Sequence, residues 1–122
     1  RWLVLTPEEW VRRHVVEYLR NECGYAPQLI VEEHPIHINN MTQRADVVVM
    51  NSQAEPELVV ECKEPGVKIS DEVLRQVVRY NSILRCRYIA MTNGLDTFCY
   101  ELGDNGYKAL DHFPHCRCND TK

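Results

Sequence analysis

No stretch of this sequence approaches the roughly 20 consecutive apolar residues that cross a bilayer, so a membrane-spanning helix is excluded, and no signal-peptide pattern stands at its start. Internal repeats and low-complexity tracts are absent. Positive charge is scarce: 14 Lys and Arg against 18 Asp and Glu leave a net charge of −4. That argues against a strongly basic coat for non-specific nucleic-acid binding, although it leaves room for a local basic patch. A phosphate-binding Gly-x-x-x-x-Gly-Lys loop is also missing, so the chain holds no complete nucleotide-driven motor. It begins at Arg1 rather than Met, as a piece of a longer protein would. Its six cysteines (Cys23, Cys62, Cys86, Cys99, Cys116 and Cys118) come without a secretory signal, and they read as reduced thiols of a cytoplasmic protein. What is present, 122 residues of which 44% are apolar, suffices for one domain with a single core.

The most informative stretch runs from Arg44 to Lys63. Two β-branched apolar runs, Asp46-Val47-Val48-Val49-Met50 and Leu58-Val59-Val60-Glu61-Cys62-Lys63, flank the turn material Asn51-Ser52-Gln53-Ala54-Glu55-Pro56, which predicts a hairpin. Symmetric closure sets Met50 opposite Glu57, Val48 opposite Val59 and Asp46 opposite Glu61, with Cβ atoms of facing residues about 5 Å apart. Lys63 shares the face of Glu61, because strand side chains alternate; Val47, Val49, Leu58, Val60 and Cys62 line the other face. Two facing carboxylates repel unless a proton or a cation lies between them. A hard divalent ion, Mg²⁺ or Mn²⁺, suits Asp46 and Glu61 with help from the Cys62 carbonyl, since it takes oxygen ligands and keeps several waters. Such an ion acidifies a bound water and neutralises phosphate charge, and Lys63 is placed to orient that water or to steady the phosphorus. The competing interpretation is a solvated strand edge with an ordinary ion pair, worth about 0–1 kcal/mol.

Elsewhere the chain punctuates itself clearly. Thr6-Pro7-Glu8-Glu9 starts a helix, with Thr6 as cap, Pro7 in the first position and Glu9 completing a capping box. It is expected to reach about Glu22, with Val11, Val15, Tyr18 and Leu19 facing the core, Trp10 and Val16 widening that stripe, and His14 and Glu17 at the surface. Leu29-Ile30-Val31 and Ile36-His37-Ile38 suggest one strand interrupted at His34-Pro35; both histidines read as polar strand residues rather than metal ligands. Arg44 either shields Asp46, touches a phosphate, or is a plain surface arginine. Ser70 caps a second helix with Asp71 and Glu72 in its first turn and Val73, Leu74, Val77, Val78, Ile83 and Leu84 as its buried stripe. Gln76 and Tyr80, four apart, share one face of it. Tyr88–Met91 and Thr97–Leu102 are further strands, the last closed by Gly103-Asp104-Asn105-Gly106. A strand–helix–strand succession after a hairpin requires a crossover, hence an α/β fold with a mixed sheet of four to five strands flanked by helices. Residues 1–110 form the domain, and 111–122 are expected to be a flexible or partner-docking tail. The tail's His112, His115, Cys116 and Cys118 are too cramped for a usual zinc site.

Asp46, a gap of fourteen residues, and then Glu61-x-Lys63 resembles the motif of the PD-(D/E)XK nuclease superfamily. The flanking text, Arg44-Ala45-Asp46-Val47-Val48-Val49 and Val59-Val60-Glu61-Cys62-Lys63-Glu64-Pro65, is similar to the N-terminal nuclease domain of type I restriction enzyme R subunits, over nearly all of residues 5–102. Ala45 stands where the superfamily has Pro, at a position that is not a ligand. The resemblance implies a restriction-endonuclease-like α-β-β-β-α-β core and Mg²⁺-dependent cleavage of DNA, with other restriction–modification subunits or a motor chain as partners. Because an isolated domain this small holds little surface for DNA, a homodimer or a larger assembly is expected. The resemblance also implies that an acid on the first helix approaches the metal, for which Glu9 is the candidate unless it serves as a cap alone. Finally it implies that Gln76 helps order the active site and that Tyr80 contacts the nucleic-acid backbone. The alternative is a non-catalytic nucleic-acid- or partner-binding module on the same fold.

Overall fold

Helix α1, Pro7–Asn21, begins where the capping box demands: Thr6 Oγ1 accepts from the Glu9 amide at 3.1 Å, and Glu9 Oε1 accepts from the Thr6 amide at 2.9 Å. The structure, a computed structural model, describes residues 4–117. Val11, Val15 and Leu19 are buried along α1, whereas Trp10 and Tyr18 stay substantially exposed at the rim of that stripe. After a short 3₁₀ turn, Pro27–Leu29, strand β1 (Ile30–Ile38) runs unbroken through Pro35. An edge strand tolerates the missing donor. Asn39 and Asn40 both take positive φ, 53° and 65°, and form the two-residue turn whose twist suits a hairpin.

Strand β2 (Met41–Met50) then pairs antiparallel with β1 on one side and with β3 (Pro56–Cys62) on the other. Val48 faces Val59 as the symmetric hairpin requires. The register shifts between Val49 and Met50, so Met50 meets Pro56 rather than Glu57. The loop accounts for this: Asn51 Oδ1 gathers the Gln53 and Glu55 amides at 2.8 and 3.0 Å, and Pro56 has no N–H to give to a symmetric ladder.

β3 lies parallel to β4 (Tyr88–Thr92), with α2 (Asp71–Leu84) as the crossover, and β5 (Thr97–Gly103) and β6 (Gly106–Leu110) complete the sheet in the simple order β1 to β6. The sheet is mixed as expected but has six strands, not four to five. Gly103–Gly106 is a hairpin turn rather than an end, with Gly106 at φ 108°, and β6 returns along β5.

The two helices cover opposite faces. α1 packs on Val47, Val49, Leu58, Val60 and Cys62, and α2 packs through Val73, Val77 and Tyr80 on Val48, Val59, Ile89 and Met91. Each such side chain, fully buried, contributes about 1.5–3 kcal/mol. Ser70 occupies the cap position of α2 without a side-chain hydrogen bond, and Ile83 is 50% exposed. Asn81 is buried in its stead, because its amide binds both the Cys86 carbonyl and the Cys86 N–H and closes the helix where Arg85 turns to φ 60°.

Residues 111–117 fold back instead of trailing. Phe113 is buried against the α1-side core, Tyr25 donates to the Pro114 carbonyl at 3.2 Å, and the Cys116 amide donates to the Cys23 carbonyl at 2.8 Å. Cys23, Cys62, Cys86 and Cys99 are free and buried. Cys116 is disulfide-bonded, contrary to the expected thiol, and Cys118 lies outside the described residues. Among the described residues, no helix is long and apolar enough to cross a membrane.

Candidate functional site

The β2–β3 ladder ends at the Val47–Val60 pair. One step further, Asp46 Oδ2 accepts the Cys62 amide at 2.7 Å, taking the place of a backbone acceptor on β2. A strand residue's N–H and C=O leave on the same side, so the Cys62 carbonyl also turns towards Asp46. The Cys62 thiol goes the other way, into the α1-side core, where burial pushes its titration far up. Cys62 therefore enters the site through its main chain. On its far side β3 stays anchored, with the Lys63 amide donating to the Thr92 carbonyl at 2.9 Å.

Glu61 is 5% exposed, and its Oε1 is buried without a hydrogen-bond partner. Lys63 Nζ lies 3.7 Å from Glu61 Oε2. Burial first, and the neighbouring Asp46 carboxylate second, push Glu61 up to about 8, against the pull of Lys63. Burial also raises Asp46, opposed by the Cys62 amide and by Arg12 and Lys63. Near neutral pH the pair holds a proton that a cation would replace.

Glu9 does not reach this cluster, because its carboxylate is committed to the helix cap and lowered by that hydrogen bond. Glu8 is the first-turn acid that feels the site electrostatically: it is raised by burial and then by the Asp46 charge, and is pulled down by Lys63 and Arg12. Once Glu9 completes the capping box, Glu8 is the acid left over in the first turn, so the sequence did carry a signal for it. Arg44 is exposed and points its guanidinium at the Glu33 carbonyl, 3.4 Å away. The cations acting on Asp46 are Arg12 and Lys63. Arg12 is itself fixed by Glu32 at 3.1 Å and Glu33 at 3.0 Å, which ties α1 to β1 beside the site.

Gln76 lines a groove of about 510 Å³ together with Lys63, Glu72, Val73, Arg75 and Arg79. Tyr80 is only 3% exposed. Its hydroxyl accepts from Gln76 Nε2 and donates to Gln43 Oε1, both at 3.0 Å. It acts from inside the fold, bridging α2 to β2, and nothing in the sequence singled out Gln43 as its partner. Tyr80→Phe removes the bridge, costs Gln76 its acceptor and leaves Gln43 Oε1 with Arg79 alone. The expected loss is about 1–2 kcal/mol, measured by denaturant unfolding; an unchanged midpoint would show that the hydroxyl binds the elements no better than a hydrogen atom.

Whether a metal fits can be judged from the donors. Among the described residues no three of His, Cys, Asp and Glu form a ready-made metal cluster. His34 and His37 are occupied by the Pro35 carbonyl and the Thr42 hydroxyl. An ion would rest on Asp46, Glu61, the Cys62 carbonyl and water. That all-oxygen set suits Mg²⁺ or Mn²⁺, which bind through one or two carboxylates, and it satisfies the orphaned Glu61 Oε1.

Known proteins place the fold. The chain resembles a fragment described as an HsdR subunit of a type I restriction enzyme from Vibrio vulnificus YJ016, with a TM-score of 0.70 and 20% identity over 93% of this chain and 24% of that one. It also resembles a nuclease assigned to the DUF820 group from Anabaena variabilis ATCC 29413, with a TM-score of 0.55 and 10% identity over 92% and 71% of the two chains. The type IIG restriction endonuclease BpuSI matches with a TM-score of 0.54 and 18% identity over 93% and 13%. The chain thus spans about a quarter of the R-subunit fragment. No curated protein matches it. The sequence profile of the family described as the N terminus of the type I restriction enzyme R protein matches residues 7–114. A match over that much of the chain, on a restriction-endonuclease-like fold, settles its membership: it belongs to the type I restriction enzyme R protein N-terminal family.

Proposed function

We propose that this chain is a divalent-metal-dependent nuclease domain that hydrolyses phosphodiester bonds of DNA within a restriction–modification assembly. The observation that carries this reading is the pairing of buried Glu61 with half-buried Asp46, with Lys63 at 3.7 Å and an unsatisfied Glu61 oxygen. Bound there, the ion would acidify a water and neutralise charge on a phosphate oxygen. Asp46, Glu61 and the Cys62 carbonyl would hold it. Lys63 orients the attacking water or donates to the phosphate, and Gln76 stands beside Lys63 on the groove wall. Arg12 offsets the Asp46 charge from the α1 side, where Glu8 adds a further carboxylate. The net charge of −4 favours a second reading, a module that binds without cutting.

Calorimetric titration with Mn²⁺ of wild type, Asp46→Ala and Glu61→Ala, beside incubation of each with supercoiled plasmid, separates the two. The nuclease reading requires wild-type binding and nicking that both disappear in the variants. Wild type that neither binds Mn²⁺ nor nicks supports the non-catalytic module.

A further inference from the structure

Two arginines that no role above accounts for stand on the groove wall outside the carboxylate site. Arg75 and Arg79 are four apart on α2, so their side chains leave the same face of the helix about 6 Å apart at Cβ. Both are exposed, and both line the groove that Lys63 also lines. Among the described residues neither takes part in an ion pair, although Glu72 lines the same groove. Arg79 is braced from β2, its Nη2 donating to Gln43 Oε1 at 3.4 Å, the same oxygen that receives the Tyr80 hydroxyl. Two uncompensated guanidinium groups in a chain of net charge −4, beside a third cation, form a local anion-binding strip. Tyr80 is buried with its hydroxyl engaged by Gln76 and Gln43, whereas both arginines stand exposed on the groove.

We infer that Arg75 and Arg79 hold successive phosphates of the strand that enters the site at Lys63, so that the nucleic acid runs along α2. Resting on the nuclease reading, this gives that reading its substrate path. Guanidinium groups are suited to the task because their donor fork matches a phosphate in two-point contact. Gln43 links the strip to the catalytic end, since one amide oxygen positions Arg79 and receives Tyr80.

The test is the salt dependence of binding to a fluorescein-labelled 20-base-pair duplex, followed by anisotropy in EDTA so that nothing is cut. Arg75→Gln and Arg79→Gln keep helix propensity, and each should lower the magnitude of the slope of log K against log salt by about 0.9, with affinity down on the order of tenfold at 0.1 M salt. The double variant should show both losses. Arg20→Gln on α1 should leave the slope where it was. Absence of wild-type binding, or a double variant with the wild-type slope, overturns the inference. Failure of the nuclease reading looks different: the slopes change as stated, but Mn²⁺ neither binds nor supports nicking.

Discussion

Metal-free protein carrying Glu61→Gln is expected to outlast wild type in thermal unfolding at pH 8, and the advantage is expected to vanish near pH 4. The folded chain holds a proton on Glu61 up to about pH 8, whereas an unfolded glutamate releases it near the usual 4.5. Between those values the native state binds more protons than the unfolded one, so stability is full below about 4.5 and falls as pH rises towards 8. The cause is a carboxylate 5% exposed, beside Asp46, with Lys63 at 3.7 Å as its near counter-charge. Glutamine keeps the shape and removes the charge. The gain at pH 8 should be on the order of 3 kcal/mol, or roughly 10 °C. Saturating Mn²⁺ should reverse the ranking, because only wild type keeps both carboxylates and ligand binding stabilises the native state. A variant that melts below wild type at pH 8 in EDTA would show that Glu61 is not held against its charge.

Lys63→Met should separate two roles that lie two residues apart on the same strand face. If the amine acts on water or phosphate, plasmid nicking falls by about 10²–10⁴-fold, while Mn²⁺ affinity changes by less than about tenfold, because the oxygen donors remain. Lys63→Arg keeps a cation but not the compact, mobile amine, and it should recover little of the rate. Loss of Mn²⁺ affinity in step with the rate would instead make Lys63 a neutraliser of the pair with no part in the reaction.

Local rules made much of this legible. Thr6, Pro7 and Glu9 each have one reason to stand where they do, and α1 starts there; the valine runs with a polar bend give the hairpin and set Val48 opposite Val59. The departures share a different cause. Pro56 opposite Met50, and Gly106 opening a sixth strand rather than closing a fifth, depend on how a turn distributes its hydrogen bonds, which residue type alone underdetermines. Glu9 was the expected acid because Pro-Glu-Glu does not say which carboxylate turns inward; the reciprocal cap commits Glu9 and leaves Glu8 uncommitted. Tyr80 and Asn81 look polar in sequence yet are buried, because Gln43, Gln76 and the Cys86 backbone satisfy them. Those partners lie up to 37 residues away, beyond any helical period.

Cys62 divides its duties between side chain and main chain. The thiol answers only to the packing beneath α1, while the amide, and with it the carbonyl, answers to Asp46. A substitution there is consequently judged by volume alone: Ala or Val would be accepted or rejected by the oily interior without altering the polar groups that the site borrows from that residue. Neighbouring Glu61 and Lys63 have no such latitude, since their contribution is carried by the very atoms a mutation exchanges. Of these three consecutive positions, only the middle one should therefore accept a change of side-chain chemistry, and there only to an apolar residue of similar volume.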